Sequence, residues 1–198
     1  MIQFTPDVRL LWAPAATYRQ INSAAAAPLQ PSRWSLAARA SIAPAIAGVT
    51  TGLSATGRVS WSLVLSGIVC WSFLAAIQSL TAAMLIGRQG RPIGYWRAFE
   101  LFFLGHAAWS LWLIAAAAYL LAAPELVRRE DLLISTAIVP LSWTAVLIFA
   151  YCREILRLEV RRAVLRTAVH QGLTVLVIVA YVAWAIQLWP RLLAPTLR

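Results

Sequence analysis

Lysine is missing altogether from a chain that still carries a formal charge of +10, because all 17 of its basic residues are arginine. Acids are scarce too, with Asp and Glu together numbering 7. Charged residues make up 12% of the 198, whereas a soluble domain carries about 25%. So few charges cannot coat a globular surface, and here they are bunched between long apolar runs. With 61% hydrophobic residues and a mean hydropathy of +0.74, the chain has to turn its apolar surface toward lipid.

Other absences narrow the function. Only two cysteines occur, Cys70 and Cys152, each inside an apolar run. This excludes a disulfide framework and a clustered thiolate metal site, and leaves both as packing residues. There is no Gly-rich phosphate loop, nucleophile elbow or zinc-helix motif, so neither an enzyme nor a bound cofactor or metal is expected. The arginines flank apolar runs, where juxtamembrane cations belong, rather than lining one soluble face; nucleic acid is not an expected partner. The opening MIQFTPDVRLLWAPAATYRQ lacks the unbroken apolar core of a secretory signal, and no cleavage is expected. An all-arginine basic set with abundant Ala points to a GC-rich, bacterial genome and hence to the inner (cytoplasmic) membrane.

What is present reads as an all-α, polytopic transmembrane bundle. A helix needs about 20 mostly apolar residues to cross a hydrocarbon core. Residues 61–86, 98–123, 132–151 and 172–189 meet that requirement. A fifth segment, 40–57, reads ASIAPAIAGVTTGLSATG and is poorer in large apolar residues. Its compact residues Ala40, Pro44, Gly48, Gly52 and Thr56 recur every fourth position, and Gly48 with Gly52 forms a GxxxG pair that lets a neighbouring helix come close. Such a helix belongs inside a bundle; the alternative is an Ala/Gly-rich linker.

Charge decides for a span. With five crossings and the N-terminus inside, twelve arginines fall on the cytoplasmic side and five outside, as the positive-inside rule requires. With four crossings, the arginine-bearing tail would share a side with the nearly charge-balanced loop 124–131. The expected topology is therefore five spans, N-terminus in and C-terminus out. Trp34 and Trp96 mark the inner interface, and Trp61 and Trp189 the outer. Residues 1–39 form a cytoplasmic tail with interfacial helices, and 40–198 the bundle.

Two cytoplasmic features stand out. Residues 152–170 read CREILRLEVRRAVLRTAVH, with Arg153, Arg157, Arg161, Arg162 and Arg166 alternating with apolar residues at helical spacing. Glu154 and Glu159 are placed to meet Arg157 and Arg162 at i,i+3. This is a basic amphipathic helix on the inner leaflet or a rigid extension of the preceding span, and a candidate surface for membrane lipids or a partner. In the tail, Val8, Leu11 and Trp12 form one apolar face of a short interfacial helix, and Pro14 suits the start of a second helix ending near Asn22.

That second helix carries a resemblance. Pro14, Ala15, Ala16, Thr17, Tyr18, Arg19 and Ile21 are similar to the Pro-x-x-Thr/aromatic-Arg-x-Ile stretch that precedes the first span in bacterial members of the Yip family. These are small five-span membrane proteins with a cytoplasmic N-terminus, and their eukaryotic relatives engage Rab-type GTPases. The resemblance implies a membrane adaptor or organiser and no known chemistry, and it does not carry the Rab partners over to a bacterium.

Within the spans, His106 is the polar residue at the costliest depth, where ionisable groups are often functional. Gln78 and Gln187 are its candidate intramembrane partners, and the alternative is a neutral imidazole bonded to a neighbouring helix. His170 is expected at the inner interface, at a different depth, so paired haem ligation is not expected. Arg97 and Glu100, at i,i+3, read as a structural ion pair. Three functions stay open: a Yip-like adaptor or organiser acting through other membrane proteins, an accessory subunit of a larger membrane complex, and a small carrier or channel component using His106.

Overall fold

The computed structural model describes residues 5–24, 41–42, 44–50, 61–87, 94–122 and 135–193, and all of these lie in helices or in the turns between them. Eight helices organise them: α1 Thr5–Trp12, α2 Pro14–Ala24, α3 Trp61–Trp71, α4 Phe73–Ile86, α5 Tyr95–Leu104, α6 Ala107–Ala122, α7 Ile138–Glu154 and α8 Val160–Leu193. Among the described residues, three runs are long and apolar enough to cross a membrane: Ile68–Ile86, Tyr95–Tyr119 and Val160–Tyr181.

Local chemistry sets the breaks between them. Pro14 opens α2, where a missing N–H costs nothing because the first turn has no acceptor for it. Ala13 joins α1 to α2 almost without interruption, donating to the Arg9 carbonyl at 3.0 Å and accepting from the Thr17 N–H at 2.9 Å. Ser72 separates α3 from α4; its Oγ donates to the Val69 carbonyl at 2.7 Å and competes with the backbone ladder. Gly105 and His106 separate α5 from α6 in a tight turn, their N–H groups reaching back only three residues, to Phe102 and Phe103. Pro140 sits buried in the first turn of α7.

The connection from α7 to α8 is a five-residue corner, residues 155–159. Leu156 N–H reaches the Tyr151 carbonyl at 3.2 Å and Leu158 N–H the Cys152 carbonyl at 3.0 Å, closing the helix end. Arg157 takes the left-handed conformation, φ 53°, that turns the chain. Arg153 Nη1 donates to the Leu158 carbonyl at 2.5 Å and ties the corner shut. Beyond it α8 runs unbroken for 34 residues, about 50 Å at 1.5 Å per residue. The corner thus splits the basic stretch, leaving Arg153 on α7 and Arg157 in the turn, while Arg161, Arg162 and Arg166 share one rod with the last apolar run.

The core gathers where α2, α5, α7 and this corner meet. Leu10, Tyr18, Ile86, Phe102, Leu147, Ile148, Tyr151 and Cys152 are all essentially inaccessible there. The two N-terminal helices share this core, through Leu10 and Tyr18, and α2 packs along α7. Of the expected tail face, Leu11 packs against the core, while Val8 and Trp12 are exposed. Elsewhere the helices leave large apolar side chains uncovered, among them Trp61, Val69, Met84, Ile114, Val139 and Leu176. Lipid is the natural solvent for so many exposed large apolar side chains.

Candidate functional site

The buried end of the bundle is built on tyrosines. Tyr151 donates its hydroxyl to the Ala98 carbonyl at 2.7 Å, and Tyr18 donates to the Leu101 carbonyl at 3.4 Å, so α7 and α2 both grip the backbone of α5. Their rings meet edge to face, 5.8 Å apart. The Tyr18 hydroxyl also closes on Gly105, where an added Cβ would lie 3.6 Å from it and 3.3 Å from the Phe102 carbonyl. The Pro14–Ile21 stretch therefore serves packing through Thr17 and Tyr18, both buried, while Arg19 is exposed.

One turn deeper lies a polar seam. The fully buried Phe102 ring contacts two imidazoles, His106 at 5.3 Å and His170 at 5.4 Å between ring centroids, both edge to face. His106 Nδ1 and both nitrogens of His170 are buried without a protein hydrogen-bond partner. His170 belongs to a buried stripe on α8 with Ala163, Thr167 and Thr174. Thr174 Oγ1, Gln171 Nε2, Thr144 Oγ1 on α7 and Gln78 Oε1 on α4 are likewise buried and unpartnered. Polar atoms sealed from the protein's own partners are normally served by water or a ligand.

His170, placed by the sequence reading at another depth, lies against the same phenyl ring, because α8 carries it inward as part of a continuous helix. Gln187 falls on a part of α8 where only the backbone is described. The signal for the pair was present as the only two histidines of the chain. Among the described residues, no group of three His, Cys, Asp or Glu side chains is placed to hold a metal ion.

The remaining candidates are placed as follows. Gly48 is buried in the helical residues 44–50, whose Thr50 Oγ1 lies 2.9 Å from the Ile46 carbonyl and 3.2 Å from the Leu113 carbonyl of α6. Gly52 lies outside the described residues. Arg97 and Glu100 form their ion pair at 2.7 Å. Glu154 does not reach for Arg157, which lies past the helix end; it faces Arg19 of α2 at 3.6 Å, and its carbonyl accepts from Asn22 Nδ2 at 3.3 Å. The five arginines divide. Arg153 and Arg166 bond to the carbonyls of Leu158 and Leu85, whereas Arg157, Arg161 and Arg162 are exposed beside exposed Val160, Val164 and Leu165.

Compared with protein families, with characterised proteins and with solved structures, the chain has no match. The fold and the site define it only as a helical protein with membrane-capable helices.

Proposed function

We propose that this is a five-span protein of a bacterial inner membrane, N-terminus in the cytoplasm and C-terminus outside. It acts without catalysis as a Yip-like adaptor or organiser of other membrane components. The observation that carries this reading is the division of the arginines. Arg153 is tied to the backbone of the corner and Arg166 to the end of α4, while Arg157, Arg161 and Arg162 are exposed among exposed apolar residues. Attraction of such a surface to an anionic leaflet is worth about 1 kcal/mol per arginine. Affinity purification in mild detergent tests it. The unaltered chain should retain membrane proteins or anionic lipid that the R157Q/R161Q/R162Q variant loses; identical eluates would contradict it. A partner held in fixed stoichiometry would instead mark an accessory subunit.

A second reading, a small carrier or channel component, is favoured by the buried ring nitrogens without a protein partner, His106 Nδ1 and both of His170, on rings that lie against Phe102. Intramembrane ionisable groups are costly to keep and commonly mark a transport path. His106→Ala should abolish transport in reconstituted vesicles, and unchanged flux would remove that reading.

A further inference from the structure

The adaptor reading leaves open what covers the outward arginines, and the face of α8 on which two of them stand narrows the choice. Ala163, Thr167, His170 and Thr174 turn the buried side of this helix toward the rest of the bundle. On the opposite side Arg161, Leu165, Ala168, Gly172 and Leu176 are all exposed, at steps of three or four residues, with Arg162 and Val169 exposed beside them. An added Cβ at Gly172 would meet nothing within 4 Å, so the face is open outward along its length. It is basic in its first turn and apolar in the turns that follow.

Charge and length choose the occupant. Among the described residues, Arg157, Arg161 and Arg162 make no ion pair or hydrogen bond through their side chains, and the neighbouring acid Glu159 leaves the group positive. The first turn of α8 holds two of these arginines and no acid. The helix dipole is already positive there, so the guanidiniums work against the helix, and a bound anion removes the conflict. Phosphate is the anion that the guanidinium fork matches best. From Leu165 to Leu176 the apolar part of the face runs about 16 Å along the axis, close to half of a hydrocarbon core roughly 30 Å thick. A phosphate joined to a chain one leaflet deep covers both parts at once.

We propose that this face of α8 seats one anionic phospholipid, its phosphate held by Arg161 and Arg162 and an acyl chain laid along Leu165 to Leu176, with Arg157 adding positive charge from the corner. The inference rests on the adaptor reading and names the partner of its exposed arginines. A seated lipid differs from diffuse attraction to a charged leaflet, which acts alike on every exposed arginine of that side. Arg9 and Arg19, exposed on the N-terminal helices, carry the same charge without the apolar face beyond it. They supply the comparison.

Native mass spectrometry of the full chain in mild detergent tests the proposal, with phosphatidylglycerol and phosphatidylcholine titrated separately. One phosphatidylglycerol per chain should bind, at least about tenfold more tightly than phosphatidylcholine. R161Q/R162Q should weaken that binding about tenfold or more, whereas R9Q/R19Q, which removes the same charge, should change it less than about twofold. R161K/R162K keeps the charge without the fork and should fall between. Phosphatidylglycerol with a photoreactive group in its acyl chain should label residues 165–176 of the unaltered chain, and R161Q/R162Q should lose that label. Equal losses in R161Q/R162Q and R9Q/R19Q, or equal binding of the two lipids, would overturn the proposal. So would an R161Q/R162Q variant that keeps its phosphatidylglycerol and loses a membrane protein from native extracts; the arginines would then serve a protein partner, and the adaptor reading would stand without the lipid.

Discussion

The two ends of the bundle are held by different means. At the corner end, α2, α5, α7 and residues 155–159 interlock around Tyr18, Phe102, Leu147, Tyr151 and Cys152, with tyrosine hydroxyls bonded to backbone carbonyls of a neighbouring helix. At the opposite end of the described helices, α3 meets α8 through one aromatic cluster. Tyr181 stacks on Phe73 at 3.9 Å, touches Trp71 and donates to the Cys70 carbonyl at 2.8 Å. Around that cluster Trp61, Leu65, Val69, Val179 and Trp184 stay exposed. The first end is a packed core of protein against protein, and the second leaves large apolar side chains exposed around an aromatic cluster. Both are apolar in sequence, so apolarity does not tell a core from a lipid face. Small residues, aromatic hydroxyls and bonded carbonyls do.

The same substitution at both ends should separate them most clearly. Tyr151→Ala empties a fully buried site and strands the interhelical bond to Ala98; it should cost about 3 kcal/mol, as large-to-small core changes do. Tyr181→Ala removes a half-buried ring whose site lipid can refill, and should cost about 1 kcal/mol. Reversible unfolding in mixed micelles reads both. Equal losses would erase the distinction between the ends.

Glycine offers a sharper contrast. At Gly105 a side chain would crowd the Phe102 carbonyl, the Tyr18 hydroxyl and Leu147. Gly105→Val should therefore cost about 2 kcal/mol and loosen α2 from α5. At Gly172, on α8, nothing lies within 4 Å of an added Cβ. Gly172→Ala should be neutral or gain up to about 1 kcal/mol from helix propensity. The smallest effect belongs to the exposed ion pair. Arg19→Ala removes a 3.6 Å contact to Glu154 from a side chain that is 67% exposed, and should change stability by no more than about 0.5 kcal/mol.

Helix formation, the start of α2 at Pro14 and the Arg97–Glu100 pair are all legible in the residues, because each depends on contacts within one or two turns. The junctions are less so. The break at Gly105–His106 lies in a uniformly apolar run, where a lone Gly gives no sign that Tyr18, from 87 positions earlier, closes against it. The continuity of α8 is obscured because its first turns carry arginines and the turns from His170 to Pro190 carry none, so a change of solvent reads as a change of element. The seam itself was half visible: His106 and Gln78 are conspicuous at intramembrane positions. Thr144, Thr167 and Thr174 look like ordinary small helix residues until their hydroxyls are found buried without partners.

The claim beneath all of this is that the N-terminal helices and the arginine corner lie together on one side of the membrane, clasped to each other. It is tested most directly by a short bis-maleimide cross-link between Asn22→Cys and Glu154→Cys, with Cys70 and Cys152 replaced by Ala. Asn22 Nδ2 sits 3.3 Å from the Glu154 carbonyl, so the doubly substituted chain in native membranes should join rapidly and nearly completely. Failure to cross-link, with a membrane-impermeant thiol reagent reaching the two positions from opposite faces, would contradict it.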